Sequence, residues 1–242
     1  MPPSTGLRAR VRAELTAEIK VEARRQLAES GASGLSLRAV TRALGMASSG
    51  IYRYFPSRDD LLTALIVDAY DSLGAVAEGT DARCPSDDFG TRWSAVGHAI
   101  RAWARSHPHE YALVYGSPVP GYRAPQDTIG PAGRVTSVLA GIVNDASREG
   151  ALRHDPAPTG LPPLPAQVAA EARRLADLAF PGTPDEVVLR AIAAWTQLFG
   201  MVSFELFGHL EGVITDPAPI FDRALLEMGA YVGLPAPWTS TA

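Results

Sequence analysis

The sequence predicts an all-α protein in which a small N-terminal domain precedes a larger helical domain. Apolar residues recur every three or four positions along most of the chain, which is the spacing of one helix face. Proline- and glycine-rich segments separate these stretches, and no alternation of apolar and polar residues indicates strands. The chain has 242 residues, of which 46% are hydrophobic. It is therefore long enough to bury two cores.

The first helix is predicted from about residue 12 to Ser30. Its apolar residues are four positions apart and form one buried stripe: Leu15, Ile19, Ala23 and Leu27. A second, shorter helix is predicted to begin at Ser36, whose hydroxyl can accept a bond from a free backbone N–H. Gly45 is expected to end it, because glycine tolerates a positive φ without a clash.

The third helix is short and is predicted to pack inward through Ile51 and Phe55, which are four residues apart. Its outward side chains are small and polar at first, then aromatic and cationic: Ser48, Ser49, Tyr52 and Arg53. Pro56 is expected to end the helix, because the residue before a proline disfavours the α region. Two helices joined by a tight turn, the second of them presenting its N-terminal residues, form the shape that enters the major groove of DNA.

The fourth helix is predicted from residue 58 to about 79, because Ser57 and Asp60 form an acidic capping signal. A polar connector from Thr80 to Asp88 leads to the second domain. Helical patterns in that domain lie near residues 90–106, 109–116, 131–149, 165–180, 184–211 and 217–232. The sequence predicts a DNA-binding domain at residues 1–57 and a connecting helix at residues 58–79. A domain that binds ligand and dimerises follows at residues 80–234, and a tail at residues 235–242 ends the chain.

The pattern G-x-x-x-x-x-I-Y-R-Y-F-x-S-R-D-D-L-L, which begins at Gly45, resembles the signature of the TetR family of bacterial transcriptional regulators. The resemblance covers roughly residues 15–67. It implies a three-helix DNA-binding domain, joined by a fourth helix to a helical domain that dimerises and usually binds a small-molecule inducer. Ala47 stands where the family often has a Ser or Thr cap. Ser48 is the alternative cap, which leaves the start of the recognition helix open by one residue.

The resemblance also implies which residues meet DNA. Those expected close to base edges are Arg38, Ser48, Ser49, Gly50 and Arg53. Those expected at phosphates are Tyr52, Tyr54 and Arg58, and Ser36 completes the DNA-binding set. Tyr54 has the alternative of packing against the fourth helix.

Charge is distributed unevenly along the chain. Residues 1–60 hold ten Lys or Arg and six acids, a balance of +4, which leaves −8 for the rest of a chain whose net charge is −4. A basic N-terminal region followed by an acidic remainder orients a protein on DNA. Residues 1–11, with Pro2, Pro3 and two arginines, fit either a disordered tail or a basic arm that lies against the DNA backbone or minor groove.

An aromatic set marks the second domain: Trp103, Tyr111, Tyr115, Tyr122, Trp195 and Phe199. These side chains fit either a core or the wall of a pocket for a small apolar or aromatic ligand, which is where the resemblance implies an inducer binds. The segment 107–122 resembles a C-terminal domain type of actinobacterial TetR-like regulators that carries a W-x-H-G-like (WHG) motif. Trp195 and Gly200 flank Phe199 here, so the histidine of that motif is absent.

A homodimer is predicted through residues 184–211 and 217–232, whose apolar positions are spread widely enough to face both a core and a partner. Two such helices from each subunit form a four-helix bundle. Its two-fold axis would place two recognition helices on a pseudo-palindromic operator. The expected function is a repressor that a small apolar or aromatic ligand releases from this operator.

Other chemistries find little support in the sequence. The single lysine, Lys20, cannot complete a phosphate-binding G-K-[ST] motif, and the nucleophile elbow and dinucleotide fingerprint are missing. His107 with His109, and Glu205 with His209, are too few for a metal site. We therefore expect no metal, no cofactor and no catalytic residue; the alternative is a helical enzyme or ligand-binding protein with no DNA role. A lone cysteine, Cys84, and the absence of a secretory signal or an 18-residue apolar stretch favour the cytoplasm.

Overall fold

The computed structural model describes residues 4–153 and 162–237, and within these ranges every regular element is a helix. The all-α prediction is therefore confirmed. The α-helices are α1 Ser4–Ser30, α2 Leu37–Ala43, α3 Arg58–Asp81, α4 Phe89–Ser106, α5 Pro108–Tyr115, α6 Ile129–Arg148, α7 Ala166–Ala179, α8 Asp185–Leu206 and α9 Pro217–Val232. Short 3₁₀ helices occupy Ala32–Gly34, Ile51–Arg53 and Gln126–Thr128. Pro2, Pro3, most of the proline-rich segment 154–165 that separates two predicted helices and the end of the predicted tail lie outside the described residues.

The chain forms two compact units. The N-terminal unit contains the residues through Asp71 together with His107–Pro131, and the C-terminal unit contains Ser72–Ser106 together with the described residues from Ala132 onward. Helix α3 belongs to both units, because it continues without a break from Arg58 to Asp81. Helix α5, predicted within the second domain, is grouped with the helix-turn-helix. The predicted boundaries at residues 57 and 79 divide the chain by function, and they stay a prediction.

Helix α1 begins at Ser4 rather than near residue 12. Residues 7–13 are Leu, Arg, Ala and Val, which includes several good helix formers, and Arg10 Nε donates to Glu14 Oε1 one turn later at 3.0 Å. The disordered-tail alternative is therefore wrong for residues 4–11. The expected apolar stripe is otherwise present, since Ile19, Ala23 and Leu27 are buried and Leu15 is half-buried.

Local signals end and begin the next helices as predicted. Ser36 Oγ accepts from the Ala39 N–H at 3.5 Å and caps α2. Gly45, which follows α2, has φ of +64°. At the start of α3, the Asp60 N–H donates to Ser57 Oγ at 3.1 Å, and the Ser57 hydroxyl donates to Asp60 Oδ2 at 2.7 Å. These bonds confirm the capping predictions.

In the C-terminal unit, α8 packs against α4, α7 and α9. Helix α8 ends at Leu206, short of the predicted residue 211, because Gly208 takes a φ of +77°. By length and composition alone α8 could cross a membrane. Its inward residues are nevertheless buried within the unit: Val188, Ala191, Ala194, Leu198, Phe199 and Val202. One face of α8 is therefore packed against the rest of the unit.

Candidate nucleic-acid interface

The predicted recognition helix is a turn followed by the 3₁₀ helix Ile51–Arg53. The N–H groups of Tyr54 and Phe55 both donate to Ile51 O, at 2.8 and 2.9 Å. Ile51 and Phe55 are buried, which confirms their predicted inward packing. The segment is shorter than a full helix because Ser48, Ser49 and Gly50 are poor helix formers and Pro56 has no N–H to extend it.

The start of this segment is held by backbone contacts. The Gly50 N–H donates to Ala47 O at 2.7 Å, and no side chain caps the 3₁₀ helix. The expectation that Ser48 caps this helix is therefore wrong. Gly50 is buried, and a Cβ there would lie 3.0 Å from Ala47 O, so close packing favours this glycine. The burial of Gly50 therefore does not support the prediction that it lies close to base edges.

The ten cations of residues 1–60 divide into engaged and unpaired groups. Six are engaged within the N-terminal unit: Arg10 with Glu14, Arg12 with Arg53 O, Lys20 and Arg24 with Asp68, Arg25 with Glu22 and Glu29, and Arg58 with backbone carbonyls. Within the part of the chain that the structure describes, four have no partner: Arg8, Arg38, Arg42 and Arg53. Three of these four belong to the helix-turn-helix, where nothing neutralises their charge.

Arg38 and Arg42 are both exposed and lie one turn apart on α2. Like charges at this spacing repel and weaken an isolated helix. The arrangement therefore suits an anionic partner. Arg42 was not among the predicted DNA-binding residues, although its i, i+4 relation to Arg38 was a usable signal.

The exposed polar side chains between the start of α2 and the end of the 3₁₀ helix are here called the exposed set: Arg38, Arg42, Ser48, Ser49, Tyr52 and Arg53. Tyr52 is half exposed, at 50%. The set combines guanidinium groups, hydroxyls and a phenol, which are donors and acceptors suited to base edges and phosphates. Five of its six members were predicted from the sequence.

The remaining predicted DNA-binding residues hold the fold together. Arg58 Nε donates to Leu35 O at 3.0 Å and Nη2 donates to Ala32 O at 2.7 Å, while Nη1 lies 3.3 Å from Asp59 Oδ1. Tyr54 is half-buried against the core of the unit. Ser36 is the cap of α2. The DNA contacts predicted for these residues stay predictions, but their polar atoms or rings already have partners inside the protein.

The predicted aromatic set is divided between the two units. In the N-terminal unit, Tyr111 and Tyr115 pack with ring centroids 5.1 Å apart, and the Tyr122 hydroxyl lies 2.9 Å from Thr63 Oγ1. Burial raises the pKa of Tyr115, which keeps its phenol protonated. In the C-terminal unit, Trp103 Nε1 donates to Ser72 Oγ at 2.9 Å.

Trp195 and Phe199 also lie in the C-terminal unit, with ring centroids 6.0 Å apart. Trp195 Nε1 is buried and has no hydrogen-bond partner, and it is the one such side-chain atom found in the described ranges. A cavity of about 10 Å³ borders this ring. It is lined by Trp93, Thr136, Leu139, Ala140, Phe180, Ala191 and Ile192. A buried N–H without an acceptor is costly, so this indole calls for an additional partner.

Two family models match the chain. Residues 19–65 match "Bacterial regulatory proteins, tetR family", and residues 93–228 match "Tetracyclin repressor-like, C-terminal domain". The HTH-type transcriptional regulator Rv1816 of Mycobacterium tuberculosis is 42% identical over 228 residues, which cover 90% of this chain and 92% of the relative. The chain belongs to the TetR family. It is a helix-turn-helix, DNA-binding transcriptional regulator by this membership; the narrower assignment to a WHG-type C-terminal domain stays a prediction.

Solved structures agree with the TetR fold. The regulatory protein SCO4313 is 32% identical, with a TM-score of 0.75 and coverage of 94% of this chain and 98% of that one. A regulatory protein in the tetR family from Rhodococcus RHA1 has a TM-score of 0.60 at 15% identity, covering 91% and 97%. The second likeness extends to the fold alone.

Proposed function

We propose that this TetR-family protein is a repressor that binds a pseudo-palindromic operator as a dimer and leaves it when a small ligand binds. The observation that carries the DNA-binding part is the set of unpaired guanidinium groups at Arg38, Arg42 and Arg53. Each is free to bond without first breaking a contact inside the protein. A cytoplasmic location follows from this partner, and a lone cysteine, Cys84, agrees with it.

Roles can be divided by position within the exposed set. Arg38 is in the first turn of α2, and its fork of donors suits the two acceptors of a guanine in the major groove. Arg42 is in the last turn of the same helix and is free to meet a phosphate. The short hydroxyls of Ser48 and Ser49 precede the 3₁₀ helix that carries Tyr52 and Arg53, so all of them would approach one stretch of groove.

The test begins by selecting duplexes from a random-sequence pool with the wild-type protein. Fluorescence anisotropy on the selected duplex and on an unrelated duplex then gives specific and nonspecific affinity over a range of salt concentrations. We expect tight, salt-dependent binding to the selected duplex and much weaker binding to the other. Failure to enrich any sequence would contradict operator binding, and turnover of an added compound would favour an enzyme.

Dimerisation through α8 and α9 is supported by apolar side chains left exposed on these helices and on the turn between them: Phe204, Phe207, Val213, Ile220, Leu226 and Tyr231. A cavity of about 320 Å³, lined mainly by apolar residues, lies among the end of α8, this turn and the start of α9. A second copy would cover this surface. We expect a dimeric mass in light scattering for wild type and a monomeric mass for Phe204→Glu. Val21→Glu, at an exposed apolar position of α1, is the control and should stay dimeric.

The ligand proposal is supported by Trp195, whose buried N–H has no acceptor and is bordered by aromatic and aliphatic side chains. We propose that an apolar or aromatic ligand with one hydrogen-bond acceptor enters beside this indole. The present space is water-sized, so neighbouring side chains must move aside. Such movement could reach α3, whose second half is tied to α4 and α6 through Ser72, Glu78 and Asp81.

Acetophenone and ethylbenzene are suitable probes, because the two differ in the carbonyl acceptor. Wild type is expected to bind acetophenone roughly fivefold more tightly than Trp195→Phe does. Ethylbenzene is expected to bind both proteins with the same affinity. Trp103→Phe is the matched control, since its indole already bonds Ser72. Operator DNA must weaken binding of an inducer by the same factor as the inducer weakens DNA binding. Equal affinity with and without operator would contradict the inducer proposal.

A further inference from the structure

Residues 48–55, which comprise the turn, the 3₁₀ helix Ile51–Arg53 and the two residues after it, are here called the recognition segment, and Arg12 of α1 contacts this segment. Arg12 Nη2 donates to Arg53 O at 2.9 Å across 41 residues of sequence. The same guanidinium lies over the Tyr54 ring, with its carbon 5.5 Å from the ring centroid. Arg12 therefore touches both the last residue of the 3₁₀ helix and the residue that follows it.

The Arg53 carbonyl has no backbone donor at the next 3₁₀ position because of Pro56. In a 3₁₀ helix a carbonyl accepts from the N–H three residues later, and three residues after Arg53 stands a proline, which has no N–H. No other donor among the described residues reaches Arg53 O. Arg12 thus supplies the bond that the backbone cannot supply.

The rest of the segment has few other anchors. Its start lacks a side-chain cap, and a single 3₁₀ turn has no stability of its own. Ile51 and Phe55 fix the inward side of the segment by burial. The contact from Arg12 fixes its C-terminal end, where the exposed Arg53 side chain begins.

We infer that Arg12 is a positioning residue for DNA readout, which holds the end of the recognition segment in place rather than contacting DNA itself. This inference rests on the proposed operator binding. Removing Arg12 leaves Arg53 O without a donor from the protein and uncovers Tyr54, so Tyr52 and Arg53 lose their fixed direction. Specific binding then weakens, while the phosphate contacts that support nonspecific binding remain.

The test compares Arg12→Ala and Arg12→Lys with Arg10→Ala, a control on the same helix whose arginine is exposed and bonds Glu14. Anisotropy titrations use the duplex selected by wild type and an unrelated duplex at several salt concentrations. Arg12→Ala is expected to lose about tenfold in affinity for the selected duplex at every salt concentration, because a loss of this size corresponds to one charged hydrogen bond. Affinity for the unrelated duplex and the salt slope should match those of Arg10→Ala.

A phosphate contact by Arg12 predicts a different result. Arg12→Ala would then weaken both duplexes equally and lower the salt slope by about one unit relative to Arg10→Ala, and Arg12→Lys would restore most of the loss because it keeps the charge. That result overturns the inference. Positioning instead predicts that lysine restores little, since it lacks the planar group that covers Tyr54.

Hydrogen exchange separates this inference from the proposed function, because it needs no DNA. The Tyr54 and Phe55 amides, which bond Ile51 O, should exchange faster in Arg12→Ala than in wild type and remain unchanged in Arg10→Ala. Unchanged exchange overturns the inference even if the protein binds DNA. Faster exchange in a protein that selects no duplex keeps Arg12 as an anchor of the segment and removes the operator proposal.

Discussion

The exposed arginines of the helix-turn-helix contrast with two buried arginines of the C-terminal unit. Arg38, Arg42 and Arg53 are exposed and unpaired within the described residues. In the C-terminal unit, Arg92 is buried and donates to Asp81 and Asp145, and Arg101 is buried and donates from Nε and Nη2 to the two Glu205 oxygens. The comparison shows that a count of cations does not separate the arginines bonded inside the protein from those left free for another partner.

The largest expected effect is on stability in the C-terminal unit. Arg92 Nε and Nη2 lie 2.8 and 3.0 Å from the two Asp81 oxygens, and Nη1 lies 2.9 Å from Asp145 Oδ2. Arg92→Ala leaves both carboxylates without this partner, so we expect a loss of about 3 kcal/mol in the free energy of unfolding, measured by urea denaturation. Arg148→Ala, which removes an exposed partner of Asp145, is the control. A loss below about 1 kcal/mol would show that Arg92 behaves like a surface arginine.

Arg58 allows the same comparison within the N-terminal unit. The family resemblance predicts that it contacts phosphates, whereas in the structure it donates to Ala32 O and Leu35 O. We expect Arg58→Ala to lower the free energy of unfolding by about 2 kcal/mol, since two charged hydrogen bonds are removed. The expected salt slope of DNA binding is unchanged. A stable variant whose salt slope falls by about one unit would restore the phosphate assignment.

Arg38 should show the opposite pattern. Since it has no partner in the described structure, Arg38→Ala is expected to leave the melting temperature unchanged. The free energy of binding to the selected duplex should weaken by about 1.5 kcal/mol, and that of binding to the unrelated duplex should change less. Equal losses on both duplexes would mean that Arg38 contacts phosphate and carries no sequence information.

The smallest effect is expected at an exposed pair. Arg134 donates to both Glu78 oxygens, at 2.8 and 2.6 Å, and holds the pKa of Glu78 below its ordinary value of 4.5. A lowered folded pKa gives stability that is present above pH 4.5 and is lost as the pH falls through the folded value. Glu78→Gln should therefore cost less than about 1 kcal/mol at neutral pH and nothing in acid. If the difference in unfolding free energy between wild type and Glu78→Gln does not change with pH, the charge of Glu78 is not its cause.

Sequence patterns predicted the features that depend on neighbours along the chain. The caps at Ser36 and Ser57, the turn at Gly45 and the inward side chains Ile51 and Phe55 all follow from residues within one or two helical turns. Most helix boundaries were therefore close, with the start of α1 and the end of α8 as the exceptions. Most of the exposed set was found for the same reason, since its members are the outward positions of predicted helices.

Features that depend on distant contacts could not be predicted in this way. The donors of Arg58 reach carbonyls 23 and 26 residues away, and Arg12 reaches across 41. Spacing along the chain contains no signal for such pairs. The aromatic set was misjudged as one group for a similar reason: its members are shared between two compact units, and composition does not reveal that division.

The bond from Arg12 to the recognition segment has a consequence for how binding specificity can diverge. Its acceptor is the main-chain carbonyl of Arg53, a group that every amino acid possesses. The hydroxyls of Ser48 and Ser49 and the guanidinium of Arg53 have no partner within the described protein. These three positions can therefore be randomised in a library while the anchor is retained, and variants with new operator preferences should be recovered without compensating changes in the core.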